Sequence, residues 1–222
     1  MICILQARMS SKRLKGKIMK KLSGKTIISR VVKQIQKSKK IKKIIIATST
    51  KKEDDLIEKF CKKNKLIFYR GSLENVALRF LHIQKKFNLK SFVRINCDSP
   101  LINPKLIDKL INKYNEGDYD IVTNIFPRSF PKGQSVEVIK SKTFLKVYSL
   151  FKKKHFEHVT NFFYDNYKKF KIFNLLSSKN FSDLRLCVDT KSDLKRLREL
   201  LKDKNYLNLN LSKRFEEFKR II

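Results

Sequence analysis

The sequence has no tryptophan, and only five glycines, four prolines, four cysteines and three histidines in 222 residues. So few glycines leave no G-x-G-x-x-G and no Walker A motif, which removes the common dinucleotide and P-loop readings. No stretch is linker-like, low in complexity or internally repeated. Cys3, Cys61, Cys97 and Cys187 form no C-x-x-C, and no histidine completes a zinc pattern. Cys3, Cys97 and Cys187 fall in or at the ends of apolar runs, so all four are expected to be reduced, in a cytosol. The apolar start, 2–5, is too short for a signal-peptide core, and no run approaches the ~18 residues of a membrane span. A cytoplasmic protein with no membrane insertion is the expectation.

Acidic residues are also scarce: 20 Asp and Glu stand against 53 Lys and Arg, a net charge of +33. A basic stripe that follows phosphates is the footprint of a nucleic-acid binder. Here the lysines are spread instead, at 37–43, 51–52, 62–65, 85–86, 152–154 and 168–171. Dispersed charge at helical positions reads as solvated surface. No specific nucleic-acid partner is expected, although the field favours anionic substrates such as nucleoside triphosphates.

What is present is an alternation of two apolar periods. Residues 1–6, 43–48, 66–69, 91–96 and 121–124 read as strands. Between them, 26–38, 50–64, 73–87 and a segment from 104 read as helices, with Thr50–x–x–Glu53 a capping-box spacing, Ser72 an N-cap, and Asn103-Pro104 a cap followed by proline. Continuous apolar strands alternating with helices imply a mostly parallel sheet covered on both faces, with ligands beyond the strands' carboxyl ends. The second half is less regular: a loop at 126–133, strands at 134–139, 172–176 and 184–188, helices at 141–153, 156–167, 190–202 and 212–220. One domain spanning 1–222 is expected, with 126–180 as an elaboration.

Three segments carry candidate chemistry. The loop after the first strand, QARMSSKRLKGK at 6–17, sets Arg8, Ser10, Ser11, Arg13 and Lys17 around small residues. Guanidinium forks and hydroxyls suit a polyphosphate, but composition alone equally fits an ordinary basic loop. Asp98 directly follows an apolar strand, where a carboxylate is costly unless paired or bound to metal; a turn or cap aspartate is the alternative. Asp189 follows the run 184–188 and precedes a capped helix. If the two strands are neighbours, both carboxylates enter one crevice, and with phosphate oxygens they suit Mg²⁺. Asp118-Tyr-Asp120 also looks like a metal motif, but it lies at the entry of a strand, away from that crevice.

In order and spacing, QARMSSKRLKGK at 6–17, IIIATSTKKEDD at 44–55, YRGSLENVALRF at 69–80, VRINCDSPLI at 93–102, FPKGQSVEV at 130–138, EHVTNF at 157–162 and LRLCVDTKSDL at 184–194 resemble the cytidylyltransferase superfamily. That superfamily activates 3-deoxy-octulosonic and neuraminic-type sugar acids, and the pattern is nearest to its spore-coat polysaccharide branch. The resemblance implies a Rossmann-like three-layer α/β nucleotidyltransferase fold and a Mg²⁺-dependent enzyme that transfers CMP from CTP to an acidic sugar, releasing pyrophosphate, for surface polysaccharide or glycoconjugate synthesis.

It also implies roles. Gln6, Ala7, Arg8, Ser10, Arg13 and Lys17 would hold the nucleotide, with Ser72 and Arg79 near base and ribose. Asp98 and Asp189 would hold the metal, and Arg8, Lys17 and Asp98 would be catalytic. Glu137, Glu157 and His158 would lie towards the sugar. A homodimer, with contacts through 126–180, is the family habit. The chain departs from the pattern at Lys15 (usually proline), at Cys97 (usually glycine) and at Lys132-Gly-Gln-Ser135, where two acidic residues of an Asp-Gly-Leu-Asp motif are gone. These last changes fall in the acceptor region. A nucleotidyltransferase of other base or acceptor, a basic nucleic-acid-binding protein and an inactive scaffold are the rival readings.

Overall fold

The structure is a computed structural model that describes residues 1–203, 205–206, 209 and 211–221, apart from the side chain of residue 221. Its centre is a seven-stranded sheet. Strand β1 is Ile2–Gln6. The hairpin strands β2 (Lys21–Leu22) and β3 (Lys25–Thr26) stand apart from the sheet. Then follow β4 (Lys43–Ser49), β5 (Ile67–Gly71), β6 (Ser91–Asn96), β7 (Ile121–Thr123), β8 (Glu137–Lys140) and β9 (Ile172–Asn174). Strand order is β5-β4-β1-β6-β8-β7-β9, with β8 antiparallel to both neighbours and the other pairings parallel. Part of the stretch expected as an elaboration thus supplies two strands of the main sheet.

Alternation along the strands divides the core. Cys3 and Leu5 of β1, Ile44 and Ile46 of β4, and Val93 and Ile95 of β6 join one buried cluster. Ile4, Ile45, Ala47 and Phe92 point into the other. The first cluster is closed by helices α1 (Ile27–Gln36), α4 (Pro104–Asn115), α8 (Lys191–Leu200) and α9 (Leu211–Ile221), with α2 (Asp55–Lys63) adding Ile57 and Cys61. The second is closed by α3 (Val76–Lys86), α5 (Ser141–Val147) and the rings around the short helices α6 (Lys153–Glu157) and α7 (Asn161–Asp165). The result is a three-layer, Rossmann-like α/β fold, as expected from the sequence. No helix among the described residues is long and apolar enough to cross a membrane.

Register places the functional edge. Gln6 lies opposite Ala47 and Asn96, so β1, β4 and β6 release their loops side by side. Because β8 runs the other way, its first residue, Glu137, lies at that same edge opposite Arg94 and Thr123.

Local expectations hold where caps are short-range. Asn103 caps α4 and Thr190 caps α8, where it forms a capping box with Asp193; Thr26, not singled out in the sequence, caps α1. Others are corrected. Thr50–x–x–Glu53 makes no capping box: Asp54 turns inward to Ser49, and α2 starts one residue later. Asn75, rather than Ser72, caps α3, because the Ser72 hydroxyl accepts the Asn75 N–H and forms a turn before the helix. The helical reading of 156–167 resolves into part of α6, α7 and the start of a 3-10 turn. The segment 184–188 is no strand. It makes a single bridge, Arg185 to Lys132, because its partner loop breaks ladder geometry at Pro131 and at Gly133, where φ is +96°.

Candidate active site

The loop after β1 is shaped by its own backbone and one buried carboxylate. The N–H groups of Ser11 and Gly16 both donate to the Met9 carbonyl, at 2.8 and 3.0 Å. Gly16 adopts φ +64° there, a left-handed conformation that favours glycine. Asp54, almost fully buried, accepts the Met9 N–H at 2.7 Å with one oxygen and the Ser49 N–H at 3.1 Å with the other. Asp54 thereby pins the loop to the end of β4. Lys17 then opens a single 3-10 turn, Lys17–Met19.

The Lys17 ammonium sits between the two aspartates singled out in the sequence. Its Nζ is 2.8 Å from Asp98 Oδ2 and 2.7 Å from Asp189 Oδ1. Arg13 reaches Asp189 Oδ2 at 2.9 Å, and Arg185 reaches the same oxygen at 3.1 Å. Burial pulls the Lys17 pKa down, but the facing carboxylates outweigh it and hold it above its ordinary value. Burial pushes Asp189 up, while Lys17, Arg13 and Arg185 together hold it below the usual carboxylate value. Although 184–188 is not a strand, Asp189 arrives by another route. Lys132 N donates to Leu184 O at 2.9 Å, Leu186 N to Lys132 O at 2.7 Å, and Val188 N to Asp98 O at 2.9 Å. The last bond ties the backbones of the two aspartate segments directly together.

A second polar group lines the adjoining floor. Arg94 forms a buried ion pair with Glu137, which is 1% exposed, and also donates to Gln6 Oε1 at 3.3 Å. Tyr164 donates to the other Glu137 oxygen at 2.5 Å and lies 3.2 Å from Thr123 Oγ1. Burial and the neighbouring carboxylate push the Tyr164 phenol well above its ordinary pKa, so it stays protonated and donating. Arg8 leaves the loop to meet Glu157 at 2.6 Å, and that contact lowers the Glu157 pKa. Ala7 is buried, and among the described residues the buried Ser10 hydroxyl has no hydrogen-bond partner.

Of the residues expected near base and ribose, Arg79 shares the Ala47 carbonyl with the Ala7 N–H, which donates to it at 3.0 Å, and so stands beside the loop after β1. Ser72 is engaged in its turn before α3. Arg79 is 0% exposed, with Nη1 on the Ala47 carbonyl at 3.3 Å and with Nε and Nη2 unpartnered among the described residues. Burial pushes its pKa down to about 10, still high enough to keep the guanidinium charged. His158 is exposed at the end of α6, whereas the buried histidine of this region is His155, held by the Lys152 N–H at 3.0 Å and by Asp165 at 3.1 Å. Asp118 and Asp120 bind Lys140, Lys171 and Thr143 away from the crevice.

Arg94, Tyr164, Arg185 and Asp54 also belong to the site and were not singled out from the sequence. Arg94 left a trace there, a charge inside the apolar strand SFVRIN. Arg185 left the same trace, a charge inside the apolar run 184–188, and it meets Asp189 four residues on, whereas Tyr164 and Asp54 join the site through the tertiary fold.

As to metal, the two carboxylates around Lys17 are hard oxygen donors already arranged about one cationic atom. A pair of carboxylates completed by phosphate oxygens and water is an ordinary Mg²⁺ environment, so the donor set fits that ion. Among the described residues no group of three or more His, Cys, Asp or Glu is placed to hold a metal by protein ligands alone.

A profile of the family described as cytidylyltransferase matches residues 2–217. The chain belongs to the cytidylyltransferase family. A solved cytidylyltransferase from Leptospira borgpetersenii serovar Hardjo-bovis superposes with a TM-score of 0.88 at 30% identity, covering 100% of this chain and 93% of that one. The spore coat polysaccharide biosynthesis protein SpsF of Bacillus subtilis is 28% identical over 207 residues, 89% of this chain and 84% of that protein. A shorter match, 30% identical over 126 residues, joins 55% of this chain to 50% of the 3-deoxy-manno-octulosonate cytidylyltransferase of Rickettsia akari.

Proposed function

We propose that this cytidylyltransferase transfers CMP from CTP to a sugar acid of the 3-deoxy-octulosonic or nonulosonic type, with release of pyrophosphate, in the synthesis of a surface polysaccharide such as that of the spore-coat branch. The observation that carries the reading is the convergence of Lys17, Arg13, Asp98 and Asp189 where the loops of β1 and β6 leave the sheet. Anion-binding cations and cation-binding carboxylates stand side by side there, which is what a metal-complexed triphosphate requires.

In this reading a hydroxyl of the acceptor forms a bond to the α-phosphorus while the bond to the β-phosphate oxygen breaks. Arg8, Arg13 and Lys17 bind and neutralise the departing pyrophosphate, Gln6 and Ser10 line the nucleotide, and Ser72 and Arg79 serve its base and ribose side. Asp98 and Asp189 would hold Mg²⁺, which when bound supplies charge neutralisation on phosphate oxygens and acidifies a neighbouring hydroxyl. Glu137 is fixed by Arg94 and Tyr164, so it acts as rigid flooring towards the acceptor. Glu157 positions Arg8. Little covalent chemistry falls to the protein, and its contribution is orientation and charge.

The test is pyrophosphate release with each of the four nucleoside triphosphates and Mg²⁺, against 3-deoxy-octulosonic and nonulosonic acids. Release with CTP and one acid is expected. Release with another triphosphate would move the base assignment, and binding of none would remove the reading.

A further inference from the structure

The arginines tied to this site differ in what they hold. Arg8 holds Glu157, Arg13 and Arg185 hold Asp189, and Arg94 holds Glu137. Arg128 forms no ion pair among the described residues. Its Nη1 and Nη2 both donate to one neutral oxygen, Ser135 Oγ, at 3.1 and 3.2 Å. A guanidinium fork matches the two oxygens of a carboxylate, so two N–H groups converging on a single hydroxyl leave most of that capacity unused.

Arg128 is also held in place. Its neighbour Ser129 is buried, accepting the Phe181 N–H with its carbonyl and the Ser177 N–H with its hydroxyl, both at 2.8 Å. On the other side Asn174 accepts the Phe126 N–H at 2.9 Å and donates to the Pro127 carbonyl at 3.0 Å. The Phe126 ring stacks on Tyr164, centroids 4.7 Å apart. The Asn124 side chain donates to Gln134 O at 2.8 Å and accepts the Val136 N–H at 2.9 Å, which fixes the backbone on both sides of Ser135. The arginine therefore does not sit on a loop free to carry it out to water.

Its surroundings give the location. Ser135, which both Nη atoms reach, lies two residues before Glu137 at the start of β8, and Phe126, two residues before Arg128, stacks on Tyr164. Arg128 thus stands beside the Glu137–Tyr164 pair. The two oxygens of Glu137 accept from Arg94 and Tyr164, and among the described residues Arg128 makes no ion pair with that carboxylate. A half-buried cation in a fixed position, facing a hydroxyl that can itself donate, is arranged for an anion that arrives from outside. The triphosphate has its own cations in Arg8, Arg13 and Lys17, which leaves the anion for Arg128 to the other substrate.

We infer that Arg128 is the specificity-determining residue for the acceptor: it pairs with the acceptor's carboxylate, and Ser135 supplies a further hydrogen bond to the same group. This rests on the reading of the crevice as a CMP-transfer site.

The test is calorimetric binding to the full chain loaded with Mg²⁺ and a non-hydrolysable CTP analogue, using 3-deoxy-manno-octulosonic acid, N-acetylneuraminic acid and the carboxamide of each. Wild type, Arg128→Gln and Arg128→Lys are compared, with melting temperature as the folding control. The expected result is unchanged analogue binding in all three proteins and a loss of acid binding of roughly 30-fold in Arg128→Gln, the scale of a charge-assisted hydrogen-bonded pair. Arg128→Lys keeps the charge, loses the fork and falls between the two. The carboxamide binds weakly, and equally, to wild type and Arg128→Gln. Equal binding of the acid to wild type and Arg128→Gln overturns the inference. So does analogue binding without acid binding in wild type, which leaves the nucleotide half of the functional reading standing. Failure of the analogue to bind wild type removes the functional reading itself, and the inference with it. If Arg128→Gln does not fold, the contrast between acid and carboxamide in wild type and in Arg128→Lys decides, and equal binding of the two ligands by both proteins overturns it.

Discussion

Lys17 Nζ bridges Asp98 and Asp189, at 2.8 and 2.7 Å, so one ammonium stands between two carboxylates that would otherwise face each other. The lysine is 13% exposed and Asp189 is 16% exposed, which places the triad where solvent screens little of its charge. Lys17→Met removes the cation and keeps comparable bulk. Like charges at such a distance disfavour each other's ionisation, and loss of one partner from a largely buried pair destabilises by about 2 kcal/mol. Urea denaturation is expected to show that loss in the absence of nucleotide. Pyrophosphate release with CTP and acceptor is expected to fall roughly 100-fold or more, the scale of removing one preorganised charge from a transition state. A variant with full turnover would take Lys17 out of the reaction.

The same triad sets an acid limit. The Asp189 pKa is held below its ordinary 3.8, despite burial, by Lys17, Arg13 and Arg185. A carboxylate whose folded pKa is depressed contributes stability above its unfolded value, and that contribution is lost as the pH falls through the folded pKa. The Lys17 pKa is raised above 10.5, so its contribution is complete below that value and is lost only as pH rises through the folded pKa. The pair is therefore insensitive to pH across the neutral range and fails at the acid end. Urea denaturation of the metal-free protein from about pH 6 down to pH 3 is expected to show stability falling with pH, and falling less steeply in Asp189→Asn. Parallel slopes in the two proteins would mean that other carboxylates govern the acid limb.

Much of this arrangement was legible in the sequence because it depends on local pattern. The apolar runs at 43–48 and 91–96 could be buried strands only if their ends led to loops at one edge, and Asp98 follows directly from that. The capped helix expected after Asp189 is α8, and its cap, Thr190 with Asp193, places Asp189 just before it. What could not be read was which distant segment meets which. The Arg94–Glu137 pair exists because β8 enters the sheet against its neighbours, a choice that no period in residues 134–140 encodes. The run 184–188 has the apolar content of a strand, yet its partner loop breaks at Pro131 and Gly133, so composition overstated its pairing. Ser72 and Asn75 are both good caps three residues apart, and only the turn that Ser72 makes with the Asn75 N–H decides between them.

Gly133 is where the loop before β8 and the Asp189 segment meet. Its φ is +96°, and a Cβ there would stand 2.6 Å from the Cys187 nitrogen and 2.6 Å from the Leu186 carbonyl carbon. Both are backbone atoms, so no flexible side chain can yield. Gly133→Ala must either push 186–187 away or abandon the left-handed conformation, and each route costs on the order of 1–3 kcal/mol. The displaced backbone carries the Leu186 N to Lys132 O bond of 2.7 Å and, two residues further on, the Val188 N to Asp98 O bond of 2.9 Å. A shift there moves Asp189 relative to Asp98 without touching either carboxylate. The expected outcome is a melting temperature lower by several degrees together with a turnover defect larger than the stability loss explains, because a displacement near 1 Å in a reacting geometry can cost about 100-fold. Measuring turnover well below the melting transition separates the two effects. If Gly133→Ala lost stability but kept wild-type turnover there, the contact would serve folding alone, and the placement of Asp189 would rest on its bond to Asp98 and on Lys17.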